Sequence, residues 1–281
     1  MTPRRGLFST PLLVALAAPG AVVFAFFFLL PLVFVAGDAF VEGSAAFRRV
    51  FANPSFWSGL RGSVLLSLSA GVLSLGVGFA VALHLSRLSQ SARTLLSFVI
   101  ALPLTFSGMI VAYGFILAYG RAGFVTQLFG QIGFDPASIA GFLFSPYGLA
   151  FASSYYLIPR VVMLLLPVLV NFDDRQLAAA ASLGARPWRA LVDILLPQLF
   201  PSAAAAFCLV LAVVFGAYGT ALALVGTQVN ILPLQLYSLV SDTGADFPAA
   251  AALALLLTAT CSGIMALGEW VAARHDQAAN H

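Results

Sequence analysis

The chain has 281 residues, of which 61% are hydrophobic and only 8% charged, against roughly 25% charged in a soluble domain. So few charges cannot cover a soluble globule of this length, and the mean hydropathy of +1.02 is that of an integral membrane protein. The net charge of +3 comes from arginines and acids without a lysine or a basic stripe, which excludes nucleic-acid binding, and the hydrophobicity excludes disorder.

The apolar runs are long and continuous rather than short and alternating, so helices, not barrel strands, cross the bilayer. The fold class is all-α, a polytopic membrane protein with six transmembrane helices. The first span is predicted near residues 11–36, in the charge-free run between Arg5 and Asp38. Arg4 and Arg5 before an apolar run resemble a signal peptide, but the run is too long for one and reads as an uncleaved anchor. Pro19 and Pro31 are tolerated in a membrane helix where neighbours satisfy the freed carbonyls. Arg61 and Arg87 bracket a second span at 62–86, and Arg93 and Arg121 a third at 94–120. Asp135 and Arg160 bracket the fourth. A second reading runs that helix from Tyr147 to Val170, kinked at Pro159 and Pro167, with Arg160 inside it rather than capping it. The charge-free stretch from Ile194 to Ser241 is too long for one helix and is broken at Gly226-Thr-Gln-Val-Asn230. The fifth span therefore falls near 199–224 and the sixth near 248–270.

With the N-terminus inside, nine arginines lie on the cytoplasmic side (4, 5, 87, 93, 160, 175, 186, 189, 274) and four outside (48, 49, 61, 121). That imbalance places both termini in the cytoplasm by the positive-inside rule. The chain divides into an N-terminal anchor and outer segment (1–61), a permease core (62–272) and a cytoplasmic tail (273–281).

The spans are almost free of charge, so a proton- or sodium-driven transporter lacks its titratable midplane groups. Arg160 is the one intramembrane candidate, as a substrate-pathway residue. His84 reads as interfacial, and His275 and His281 fall in the tail. Asp242 and Asp246 sit in the outer loop, as solvated acids or as contacts for a periplasmic partner. Cys208 and Cys261 lie in apolar runs and read as packing residues; no metal cluster and no catalytic constellation is visible. Without lysine a phosphate-cradling loop is excluded, so the chain is not an ATPase. Small residues recur in span two (Ser63, Ser67, Ala70, Gly71, Ser74, Gly76, Gly78) and span five (Ala203 to Ala206), for ordinary helix packing or for a dimer interface or pathway.

The segment 171–197 differs from the other loops, with three arginines and three aspartates. Asp173 or Asp174 can cap a helix, Gln176 to Leu183 is Ala-rich and helix-forming, and Gly184 stops it. Pro187 opens a second helix in which Trp188, Leu191, Val192 and Leu195 share one apolar face, and Pro197 ends it. Two short helices at a tight glycine corner suit helix-in-groove docking to a partner, or a connector lying on the membrane surface.

Ala178-Ala-Ala-Ala-Ser-Leu-Gly184-Ala, followed by Ile194-Leu-Leu-Pro197, resembles the Glu-Ala-Ala loop of ATP-binding-cassette (ABC) importer permeases. Ala179, Ala180, Gly184, Ile194, Leu196 and Pro197 match that signature, while Ala178 stands where the family has Glu. Asn53-Pro-Ser-Phe-Trp57, Gly62-Ser-Val-Leu-Leu66, Gly78-Phe-Ala-Val-Ala82 and Leu102-Pro103 resemble the family's core helices. Gly216-Ala-Tyr-Gly-Thr220 and Leu232-Pro-Leu-Gln-Leu-Tyr237 resemble the branch for polyamines, phosphonates, ferric iron or sulfate-type anions. The likeness covers most of residues 50–270.

The resemblance implies an inner-membrane permease subunit that moves a small polar or charged solute. It implies three partners besides the lipid bilayer: a separate ATPase, a second permease subunit, and a periplasmic solute-binding protein. It implies no cofactor. It places the ATPase contact on Leu177, Ala178, Ala179, Ala180, Leu183, Gly184, Ala185, Trp188, Leu191 and Pro197. The alternative is a secondary transporter or channel working without an ATPase.

Overall fold

The computed structural model describes residues 10–241 and 245–279, and among these every regular element is helical. Among the described residues six stretches are long and apolar enough to cross a membrane. The first is α1 (Thr10–Phe24) and α2 (Leu30–Phe40), joined by a wide π turn over Ala25–Leu29. After the short α3 (Ala45–Ala52), α4 (Pro54–Ser86) makes the second. It begins at Pro54 rather than at residue 62, because Asn53 caps it by accepting from the Ser55 amide and Pro54 pre-sets the first turn.

The third stretch corrects the expectation of one helix over 94–120. α5 (Gln90–Ala101) stops at a 3-10 turn, Leu102–Thr105, where Pro103 has no amide to donate. The apolar stretch restarts at Gly108 and runs to Gln131, through α6 (Gly108–Tyr119) and α7 (Phe124–Gln131). Ser107 caps the restart by accepting from the Ile110 amide. After α8 (Pro136–Leu143), the fourth stretch is α9 (Pro146–Val170), which continues through Pro159 and Pro167 and encloses Arg160. Arg61, Arg121, Arg189 and Arg274 likewise fall within the helical stretches rather than beyond them.

α10 (Arg175–Ser182) precedes the fifth stretch, which runs Pro187–Phe215, not 199–224. It joins α11 (Pro187–Ala190) to α12 (Leu196–Phe215) through a second π turn, Leu191–Leu195. α13 (Gly219–Val225) and α14 (Leu232–Ser241) are separate short helices, and α15 (Phe247–Ala279) carries the sixth stretch.

The core lies where α4 packs along α9 and α12, and where α12 packs along α15. α4 can approach closely because one side of it is small. Ser63, Ser67, Ala70, Gly71, Ser74 and Gly78 are all buried within the chain, whereas Ser69 and Gly76 are exposed. This assigns the stripe to internal packing. A Cβ on Gly78 would stand 2.7 Å from Val161 of α9, whereas one on Gly76 would meet nothing within 4 Å. Cys208 packs against Gly268, Cys261 donates its thiol to the Ala212 carbonyl at 3.6 Å, and both cysteines are free. α2 leans mainly on α15, and the rings of Phe24, Phe26, Phe27 and Phe28 are exposed.

One ionic cluster ties this second part of the core together at the end where α15 begins. The guanidinium of Arg49 donates twice to Asp246, Nε at 2.9 Å and Nη2 at 3.0 Å, and once to Glu42 at 2.6 Å. Asp246 also caps α15 by accepting from the Ala249 amide at 3.0 Å. The Arg49 side-chain bonds hold the Asp246 carboxyl below the usual carboxylate range. Asp242 lies outside the described residues.

Two outcomes follow. Gly78→Val loses most detergent-stable folded protein, because overpacking a tight helix pair costs about 1–3 kcal/mol, while Gly76→Val keeps it; size-exclusion recovery reads the difference. The lowered carboxyl of Asp246 adds stability above the unfolded carboxylate pKa of about 4, and that stability is lost as the pH falls through the lower folded value. Asp246→Asn should therefore unfold at a lower temperature than the parent at pH 7, and the gap should close as the pH drops below about 4.

Candidate functional site

The segment between the fourth and fifth stretches folds as a two-helix knob. Asp173 accepts from the Arg175 amide at 3.0 Å and starts α10. Four alanines and a leucine carry the helix with little side-chain entropy to lose. It ends at Leu183, and Gly184 takes φ +81°, the left-handed value that favours glycine. The Ala185 amide then bonds the Ala180 carbonyl and the Gly184 amide the Ala181 carbonyl, both at 3.0 Å. This pair of bonds is a Schellman closure, and it turns the chain with its last carbonyls satisfied. Arg186 is extended, as the residue before a proline must be, and Pro187 opens α11.

Pro197 does not end this helix, contrary to expectation. Proline removes one amide, and its ring presses on the carbonyl four residues back. Here the π turn lies just ahead of it: the Leu196 amide bonds the Leu191 carbonyl, five residues back, which widens the turn and lets the helix run on. The first stretch uses the same device, with the Leu30 amide on the Ala25 carbonyl and Pro31 next. The extra residue also re-phases the helix face. Trp188 and Val192 point outward, at 56% and 47% exposure, while Leu195 is buried and Leu191 half-buried. The expected single apolar stripe is therefore split.

The predicted contact residues separate accordingly. Ala178, Ala179, Leu183, Gly184, Trp188 and Pro197 are exposed, and Leu183, at 89%, is barer than Trp188. Ala180 and Ala185 are half-buried. Leu177 and Leu191 face a cavity of about 380 Å³ between the knob and the ends of α4 and α9, beside Leu83, Arg87, Leu169 and Phe172. Gln198 donates to Gln176 at 2.6 Å and fastens α10 to the root of the fifth stretch. Sequence reasoning missed that tether, since two glutamines 22 residues apart carry no signal until the corner folds.

Arg160 stands apart from the knob, inside α9. Its Nη1 donates to the Tyr156 carbonyl one turn back at 2.6 Å, and its guanidinium lies over the Tyr156 ring, 5.5 Å from the centroid. It is half-buried. Tyr156 is buried, and its hydroxyl accepts from Thr220 of α13 at 3.5 Å.

The break expected at Gly226-Thr-Gln-Val-Asn230 is real and has partners of its own. Gly226 takes φ +55°, the Leu232 amide donates to the Ser63 hydroxyl at 3.0 Å, and Gln235 donates to Asn230 at 2.6 Å. The start of α4 thus holds the loop before α14. Among the described residues no group of His, Cys, Asp and Glu could hold a metal.

Against known proteins, residues 72–280 match the family described as binding-protein-dependent transport system inner membrane component. Sulfate permease 2 of the Chlamydomonas reinhardtii chloroplast is 29% identical over 171 residues, which are 61% of this chain and 45% of that one. The molybdenum transport system permease protein ModB of Haemophilus influenzae is 28% identical over 216 residues, 75% of this chain and 91% of that one. The fold is also that of a chain in the crystal structure of a bacterial alginate ABC transporter in complex with alginate pentasaccharide-bound periplasmic protein. That chain superposes with a TM-score of 0.75 at 20% identity, over 94% of each chain.

Proposed function

The chain belongs to the family of binding-protein-dependent transport system inner membrane components, and on that premise we propose that the knob at 174–197 is where it takes motion from a separate ATPase. As a member it is a multi-pass permease subunit of an ABC importer and does not itself catalyse a reaction. The ATPase-free alternative is thereby set aside.

In this reading the exposed corner docks in a groove of the ATPase. Leu183 and Trp188 are the apolar anchors, and Ala178, Ala179 and Gly184 allow close approach of the backbone. Leu177 and Leu191 hold the knob to α4 and α9, and the half-buried Ala180 and Ala185 keep the corner narrow. Pro197 marks where the knob becomes the membrane helix. The observation that carries the reading is that the two barest large apolar side chains of the segment sit on either side of a corner stiffened by the Gly184 closure. A stiff corner transmits rigid-body motion; a flexible one would absorb it. Ala178, where the resemblance expects Glu, removes one polar contact and leaves this packing intact.

A second permease subunit completes the pathway, and a periplasmic binding protein delivers a small polar or charged solute. Among the described residues outside the six stretches, Arg87, Arg93, Arg175 and Arg186 fall on the knob's expected side against Arg48 and Arg49 on the other, which supports a cytoplasmic knob and cytoplasmic termini. The division into 1–61, 62–272 and 273–281 keeps its order in this reading, although α4 and α15 run across the two boundaries, and Arg160 is the pathway residue.

Co-purification from native membranes tests the coupling. The parent brings an ABC ATPase in stoichiometric amount. Trp188→Ala weakens that association by about 2 kcal/mol, roughly thirtyfold, and Gly184→Arg abolishes it while the permease still purifies as a folded chain. Full ATPase recovery and transport with both variants would sink the proposal.

A further inference from the structure

Arg160 lies 14 residues from the start of α9 and 10 from its end, about 21 Å and 15 Å along the axis at 1.5 Å per residue. An arginine carries its charge at any physiological pH. Such a charge at mid-membrane is expensive unless it is paired or faces a water-filled path. No carboxylate pairs with it: among the described residues the ion pairs join Arg49 to Glu42 and Asp246, far along the chain. The acids flanking α9, Asp135 and Asp173, lie beyond its two ends. A lipid phosphate is out of reach as well, because the side chain folds back on its own helix rather than reaching for an interface.

The guanidinium has five N–H donors in a fixed fork, and the Tyr156 carbonyl takes one of them. Around it α9 carries a polar stripe. Ser153, Tyr156 and Arg160 recur at i, i+3 and i+7, one face of a helix. The Ser153 hydroxyl is buried and has no hydrogen-bond partner, an unusual state for a buried polar group. Thr220 joins the stripe from α13 through the Tyr156 hydroxyl. Stacking on Tyr156 and the carbonyl bond hold the fork in one orientation, with its remaining donors unspent.

We propose that Arg160 is an anion contact of the translocation path and that the solute carried is an anion with its charge on oxygen, an oxyanion or carboxylate. This rests on the permease reading above. Planar guanidinium donors match two oxygens of such a group. A polyamine would be repelled at this point, since no acid faces it. A single mid-path contact, with only hydroxyls near it, holds the anion weakly enough to let it leave.

The test uses the importer purified with its ATPase, with sodium sulfate as the probe anion and putrescine as the cationic control. Thermal unfolding midpoints are followed as each is titrated at constant ionic strength into the parent, Arg160→Lys and Arg160→Gln. The parent should be stabilised saturably by sulfate and not by putrescine. Arg160→Gln should need at least tenfold more sulfate for the same shift, and Arg160→Lys should fall between, since it keeps the charge and loses the fork. Equal responses of parent and Arg160→Gln, or a saturable response to putrescine, would overturn the proposal. The ATPase recovered with each variant reports assembly and scores the permease reading separately: its absence from the parent refutes the coupling role, whereas its presence with equal sulfate responses refutes only the anion contact.

Discussion

In the hydrocarbon of a bilayer every backbone amide and carbonyl must find its partner within the protein, and this chain has 15 prolines that each lack an amide. Most of its architecture answers that conflict. Pro54, Pro136, Pro146 and Pro187 open helices, where the missing amide has no intrahelical partner in any case. Pro103 sits in a 3-10 turn between two helices. Pro31 and Pro197 follow π turns that widen the helix just ahead of them. Pro197 was expected to end its helix; there, as at Pro31, the helix instead continues with a local change of pitch.

The π turn before Pro197 has a mechanical consequence for the knob. Because the helix continues from Pro187 to Phe215, the second half of the corner and the membrane span are one body. Under the proposed coupling role, force on Trp188 would pass along this continuous helix into the face that packs on α4, α9 and α15. The same extra residue turns Leu191 and Leu195 inward and leaves Trp188 and Val192 outward. One helix therefore grips its own domain and presents an anchor outward at the same time. The Gln176–Gln198 bond closes the remaining freedom between α10 and this rod.

The packing of α4 on α9 supplies the rigid frame for both the knob and Arg160. Small residues on α4 bring the axes close, and the Val161 contact at Gly78 lies one residue from Arg160 in α9. A frame so tightly packed moves as a unit rather than by local deformation. That is what alternating access by rigid-body rocking requires.

Sequence alone determined the all-helical, six-stretch architecture, because a charge-poor chain with long apolar runs has no other way to satisfy its backbone in lipid. It also determined the glycine corner, since helix-forming alanines, a glycine able to adopt positive φ and a proline at the next helix start are local rules that need no neighbours. The family likeness was legible on those same residues. The tertiary structure decided the rest. The fourth span runs past the Arg160 used to bracket it, as the reading of one helix from Tyr147 to Val170 had it, because a charge marks a boundary only when it cannot be held inside, and Arg160 is held by Tyr156. The break at 102–107 and the run through Pro197 depend on which carbonyl takes each amide, a matter of three-dimensional geometry. Which of the knob's apolar residues face out depends on one extra residue in a turn, and no periodicity written in the sequence anticipates an irregular helix.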